Sequence, residues 1–152
     1  MRTVSLPNPD TTQRLGEALG RAAFAGCVIA LSGDLGAGKT SLAQGIARGL
    51  GVPGRVQSPT FVLVMVHDGG RLPLWHADLY RLADEDDAVA AGIPERFDGV
   101  SVGVIEWAER FPELMPADRL EVEIVDDGEG RRATLAATGP RHAALEAIDA
   151  PA

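Results

Sequence analysis

Apolar positions along the chain change period several times, and each change marks an element. After Pro9-Asp10-Thr11-Thr12, Leu15, Leu19 and Ala22 or Ala23 recur at helical spacing, which predicts a helix with Asp10 or Thr11 as its N-cap. Cys27 to Leu31 is an unbroken apolar run between Gly26 and Ser32-Gly33, the length of a strand buried on both faces. From Lys39 the helical period returns at Leu42, Ile46 and Leu50 and stops at Gly51. Val62 to Val66 reads as a strand opening a hairpin through Asp68-Gly69-Gly70, and Leu72 to Ala77 as a strand ending at Asp78. Val100, Val102, Val104 and Ile105 follow Gly99 and end at Glu106, and Ala133 to Ala137 reads as the last strand. This alternation predicts an α/β fold, a mostly parallel central sheet flanked by helices with antiparallel additions.

Composition narrows the class. A chain of 152 residues with 45% hydrophobic and 24% charged positions is sized for one domain, 1–152, around a single core, and nothing in its composition suggests disorder. The net charge of −8 argues against a broad basic face that tracks a nucleic-acid backbone, so any RNA is expected to be held by a partner. The one cysteine, Cys27, has no internal disulfide partner and sits in an apolar run as a core residue. The start MRTVSLPNPD has no cationic segment leading into an apolar one, and no run is long enough to cross a bilayer. Cytoplasm is the expected compartment. His67, His76 and His142 are far apart, without cysteine neighbours or close His–His spacing, and give no zinc signal.

One segment changes the picture. Lys39 is the only lysine among the 14 Lys and Arg residues, and it lies in Gly33-Asp34-Leu35-Gly36-Ala37-Gly38-Lys39-Thr40, a full match to the GxxxxGK[ST] phosphate-binding loop. The order of strand, glycine loop and helix is the order that loop requires. Its amides turn inward as an anion nest, the glycines remove obstructing side chains, and the helix N-terminus adds a positive dipole end. A lysine supplies a compact point charge to phosphate oxygens, which the planar arginine fork does not copy in a tight loop. Asp34, Leu35, Gly36, Ala37, Gly38, Lys39, Thr40 and Ser41 are therefore the candidate phosphate-binding residues, with the Thr40 hydroxyl directed at Mg²⁺.

Such a site needs a second acidic group at the end of a neighbouring strand. Glu106 ends the better buried-strand pattern, and Asp78 has the more suggestive neighbours, His76, Tyr80 and Arg81. Between them the pattern does not choose. Ser58-Pro59-Thr60 bends the chain and carries hydroxyls on both sides, suited to a γ-phosphate or an attacking water, although as a bare turn signal it is weak.

The set GDLGAGKT (33–40), SPTF (58–61), HADLYR (76–81) and IEWAE (105–109) resembles the bacterial TsaE family, also called YjeE, over roughly residues 10 to 138. The resemblance implies a small P-loop ATPase required for making threonylcarbamoyladenosine in tRNA, acting with TsaB and TsaD and meeting tRNA through them. It implies ATP and Mg²⁺ as cofactors, Thr40 and Glu106 as metal ligands, and Asp78 as needed for activity; with Lys39 on the phosphates and the Ser58/Thr60 loop beside the attacking water, the candidate catalytic set is Lys39, Asp78 and Thr60. Near the base it implies Thr12 and Arg132, with Arg131 as the alternative, while Thr12 also fits a helix cap. Trp107 stands at a nucleotide-responsive position of the family, or is a packed core aromatic. Hydrolysis by the isolated chain is expected to be slow.

Two other classes share the loop. A small-molecule kinase needs an acceptor pocket and a cationic lid, for which Arg81, Arg96 and Arg110 are the available cations. A GTPase switch carries NKxD, and the only asparagine here is Asn8; Asp127-Gly128-Glu129-Gly130 fits DxxG only in a late polar turn. The kinase is the stronger alternative.

Overall fold

The computed structural model describes residues 1–34, 38–54 and 63–148. Seven strands form one sheet: β1 (Arg2–Leu6), β2 (Val28–Ser32), β3 (Val64–His67), β4 (Leu74–Asp78), β5 (Val102–Glu106), β6 (Leu120–Asp126) and β7 (Arg131–Ala137). Their spatial order is β1-β7-β6-β2-β5-β4-β3. The centre, β6-β2-β5-β4, is parallel, and β7, β1 and β3 add antiparallel edges. The α/β class with a parallel centre and antiparallel additions is thus the observed one. Among the described residues no helix is long and apolar enough to cross a membrane.

Helix α1 (Pro9–Ala22) and helix α2 (Lys39–Gly49) lie side by side on one face of the sheet. Leu15 and Leu19 of α1, Leu42 and Ile46 of α2, and Ile29, Leu31, Val104 and Val122 of the strands form the core there. The opposite face buries Val28, Ala30, Trp75, Ala77 and Ile105 against Ile93, Ala108 and Phe111. Period-2 alternation sorts neighbouring strand residues between the two faces. Two short helices, α3 (Glu85–Ala90) and α4 (Ile93–Arg96), follow β4, and Ala88 and Ile93 pack into that second face.

The cap of α1 is Asn8, not Asp10 or Thr11. Asn8 is extended, its side-chain oxygen accepts from Thr11 N at 2.9 Å, and Pro9 opens the helix where no N–H is needed. The last strand begins at Arg131, two residues before the expected start, because both arginines continue the β6 ladder opposite Asp126 and Val125. Cys27 is buried in the first core, and burial pushes its thiol up to about 11. His142 is a structural clamp. Its Nε2 accepts from Val28 N at 3.0 Å and its Nδ1 donates to Asp118 Oδ1 at 2.8 Å, pinning the 3-10 segment Pro140–Ala147 to the start of β2.

What places α2 is a pair of glycine contacts. Gly16 and Gly20 of α1 meet Gly45 and Gly49 of α2 backbone to backbone. A Cβ on Gly45 would stand 2.3 Å from Gln13 O, and one on Gly20 would stand 2.2 Å from Ile46 O. These are small-x-x-x-small stripes on both helices, which allow an approach that any side chain would prevent.

Gly45→Ala is predicted to destabilise the protein by about 2 kcal/mol: the alanine gains about 1 kcal/mol in helix propensity, but a clash with backbone atoms is relieved only by separating the helices. Urea unfolding measures it. A midpoint at or above that of the wild type would contradict the close contact.

Candidate active site

Register assembles the site. In the β4–β5 pair, Leu74 stands opposite Val102, His76 opposite Val104 and Asp78 opposite Glu106. Leu74, Val102 and Val104 belong to the core under α1 and α2, so alternation sets His76, Asp78 and Glu106 on that same face. Asp78 and Glu106 occupy the C-terminal ends of their strands, where open parallel sheets hold their ligands, and His76 lies one layer below.

Helix α2 begins above these ends. Gly38 adopts a left-handed conformation, φ 106°, and Lys39 and Thr40 form the first turn. Lys39 is 4% exposed; its Nζ donates to the carbonyls of Gly33 and of Asp34, the latter at 3.0 Å, and lies 3.9 Å from the centre of the Trp107 ring. Thr40 Oγ1 donates to Glu106 Oε1 at 3.4 Å. Glu106 is 3% exposed, and its other oxygen, Oε2, is 2.5 Å from His76 Nε2.

The turn after β5 closes the site from above. Trp107 has φ 61° and ψ 32°, the one left-handed non-glycine among the described residues, a conformation that costs about 1–2 kcal/mol. The Lys39 ammonium and the Tyr80 ring, 4.9 Å away, hold its indole in place. Arg110 donates to the carbonyls of Leu79 and Tyr80, tying this turn to the loop after β4. Glu109 Oε2 accepts from Gly33 N at 3.3 Å.

Electrostatics follow from this crowding. Burial holds the Lys39 ammonium below the ordinary lysine range, opposed by the charges of Glu109, Glu106, Asp78 and Asp34. Asp78 moves upward, first through burial and further through the Glu106 charge, while the N–H of Tyr80, 2.9 Å from Oδ1, works the other way.

Beside the first turn of α2 is a cavity of about 240 Å³, lined by Pro7, Asn8, Thr12, Gly38, Ser41 and Arg131 among others. Thr12 is 3% exposed; its Oγ1 donates to Asn8 O at 3.5 Å, so it stands in the first turn of α1 and is not its cap. Of the two arginines, Arg131 lines the cavity. Arg132 falls on the other face of β7, is 3.4 Å from Asp127 Oδ1 and is not among the residues that line the cavity. Asp127 N donates to Gly130 O across the β6–β7 turn, which brings Glu129 and Gly130 to the cavity wall.

The site therefore unites Asp34, Gly38, Lys39, Thr40, Asp78 and Glu106, with Ser41, Thr12 and Arg131 at the adjoining cavity. Leu35, Gly36, Ala37, Ser58 and Thr60 lie outside the described residues. His76 is the residue whose contribution the sequence understates; its signal is the spacing of two from Asp78 on an alternating strand, which puts both on one face.

A family model described as Threonylcarbamoyl adenosine biosynthesis protein TsaE matches residues 6–134. The chain is 40% identical to the tRNA threonylcarbamoyladenosine biosynthesis protein TsaE of Bacillus subtilis, over 91% of this chain and 87% of that one. It is 41% identical to the protein of the same name from Treponema pallidum, over 87% of this chain and 96% of that one. The crystal structure of Bacillus subtilis YdiB superposes with a TM-score of 0.80 at 33% identity, covering 95% of this chain and 90% of that one.

A carboxyl whose folded pKa is raised binds its proton more tightly in the folded state, so stability falls as pH rises through the folded value. Asp78→Asn removes this penalty and keeps an oxygen for Tyr80 N. The ligand-free variant is predicted to melt above the wild type at pH 7, with the difference vanishing toward pH 3; a variant that melts lower at pH 7 would contradict the upward shift.

Proposed function

Because the chain belongs to the TsaE family, we propose that it is a Mg²⁺-dependent ATPase of tRNA N6-threonylcarbamoyladenosine synthesis. In this reading it acts in the cytoplasm with TsaB and TsaD, and reaches tRNA through them. The observation that carries the proposal is the meeting of Lys39, Thr40, Asp78 and Glu106 at one end of the sheet, with Thr40 Oγ1 3.4 Å from Glu106 Oε1.

The residues suit both cofactors. Lys39 is a buried cation whose present partners are backbone carbonyls, which phosphate oxygens can replace. Thr40 and Glu106 offer hard oxygen donors, and Mg²⁺ is characteristically held by one or two carboxylates completed by phosphate and water. When bound, Mg²⁺ neutralises charge on the phosphate oxygens. Lys39 and the loop amides hold the phosphates, and the dipole of α2 adds to them. Arg131, Thr12 and Ser41 line the space for the nucleoside. Asp78, oriented through Oδ1 by Tyr80 N, accepts a hydrogen bond from the attacking water and aligns it, with Thr60 as the second candidate for that role. The Trp107 and Tyr80 rings shield the Lys39 side of the site from solvent.

Two of the three cations of the kinase reading, Arg110 and Arg96, lie where they do not form a lid over the loop. Arg110 is committed to the Leu79 and Tyr80 carbonyls, and Arg96 lines a separate cavity with Gly26 and Val28, at the start of β2 and away from the loop.

Lys39→Ala is predicted to lower ATP turnover about a hundredfold or more, the scale for losing a preorganised charge at a developing anion. Turnover by the wild type is predicted to be slow alone and to rise on adding TsaB and TsaD. Phosphate release by both forms, with and without the partners, is the assay. Near-wild-type turnover by Lys39→Ala would refute the site, and fast turnover unaffected by the partners would refute the assembly.

A further inference from the structure

Glu106 has two oxygens, and the structure gives them different partners. Oε1 faces Thr40 Oγ1 at 3.4 Å, and Oε2 is 2.5 Å from His76 Nε2. His76 is 1% exposed, and its other nitrogen, Nδ1, is buried with no hydrogen-bond partner among the described residues. A buried imidazole with one nitrogen unpaired costs stability that an apolar side chain would not. One position earlier on the same strand face, Leu74 fills the corresponding layer with hydrocarbon. Packing alone therefore does not account for a histidine here. What the imidazole supplies is a single N–H aimed at one oxygen of Glu106.

That hydrogen bond has an electrostatic counterweight. Glu106 also feels the Lys39 ammonium, which lies close enough for each charge to act on the other. A free glutamate side chain between a lysine and a threonine would turn toward the lysine and neutralise the cation that phosphate requires. An N–H on Oε2 holds the carboxylate on the Thr40 side and leaves only Oε1 for a metal.

We propose that His76 is a positioning residue that locks Glu106 through Oε2, so that Glu106 offers a divalent cation one oxygen beside Thr40. The inference rests on the reading of this site as a Mg²⁺–nucleotide site, and it adds a selectivity. Mg²⁺ requires near-ideal octahedral geometry and takes single carboxylate oxygens, whereas Ca²⁺ accepts bidentate carboxylates and irregular shells. A locked, one-oxygen Glu106 favours Mg²⁺; a released Glu106 that can present both oxygens relaxes the preference. Outer hydrogen bonds of this kind typically change metal affinity by about 10- to 100-fold.

The test compares the wild type with His76→Leu and His76→Gln. Glutamine carries its amide nitrogen near the place of the imidazole Nε2 and still donates; leucine fills the space and does not. Mn²⁺ affinity in the presence of ADP is read by electron paramagnetic resonance, ADP affinity in EDTA by calorimetry, and Mg²⁺ against Ca²⁺ by competition for bound Mn²⁺. His76→Leu is expected to bind ADP in EDTA as the wild type does, to bind Mn²⁺ about 10- to 100-fold more weakly, and to discriminate less between Mg²⁺ and Ca²⁺. His76→Gln is expected to recover most of both losses. Wild-type metal affinity and selectivity in His76→Leu would overturn the proposal, as would equal losses in the two variants. Should the leucine form not fold, His76→Asn, whose shorter amide falls short of Oε2, is expected to show the same metal defect, and wild-type metal affinity in it would overturn the proposal. If the wild type itself binds ADP without any metal dependence, the Mg²⁺–nucleotide reading falls and this proposal with it. Metal dependence retained unchanged in the leucine form overturns the role of His76 alone.

Discussion

The site depends on how closely α1 and α2 approach. Gly16 and Gly20 meet Gly45 and Gly49 with backbone atoms in contact, and a Cβ on any of the four would stand 2.2–2.4 Å from a carbonyl oxygen of the opposite helix. Glycine inside a helix costs up to about 1 kcal/mol relative to alanine, so neither helix would favour these residues alone. The contact is what offsets them. It fixes where the first turn of α2 sits over the strand ends, and it brings Thr12 beside Gly38 at the wall of the adjoining cavity.

On that support the chain gathers charge that opposes folding. Lys39 and Glu106 are almost fully buried, and Asp78 is raised by burial and by Glu106. Trp107 holds a left-handed backbone conformation immediately after Glu106. Each feature costs stability in the ligand-free protein, and each faces the same small volume. Strain and buried charge concentrated at one place are what a binding site needs if its ligand is to complete the electrostatics. The hydrogen bond from His76 keeps the buried acid from collapsing onto the buried lysine.

Much of this is legible from local pattern. Strand β2, helix α2 and the acids ending β4 and β5 are readable because each rests on a contiguous signal: an apolar run or a helical period. The elements that escape have weaker local signals. Strand β6 is an alternation of Leu120, Val122 and Ile124 with Glu121, Glu123 and Val125, but it has no motif attached. Strand β1 is five residues long and exists by pairing with β7, a partner more than a hundred residues away. The cap at Asn8 is obscured by three further capping residues just after it. The choice between Arg131 and Arg132 requires the register of β7, since neighbours on a strand face opposite ways. The lock on Glu106 requires the register of β4 against β5, and the glycine stripes become meaningful only when two helices are known to touch.

The central claim is that Thr40 and Glu106, rather than Asp78, hold a divalent cation beside a nucleotide. The most direct measurement is a crystal structure with Mn²⁺ and a non-hydrolysable ATP analogue, the metal located by its anomalous scattering. The account predicts one strong peak about 2.0–2.2 Å from Thr40 Oγ1, with Glu106 Oε1 facing it directly or through one water and His76 still on Oε2. A peak bound to Asp78, with Glu106 turned onto Lys39, would contradict it.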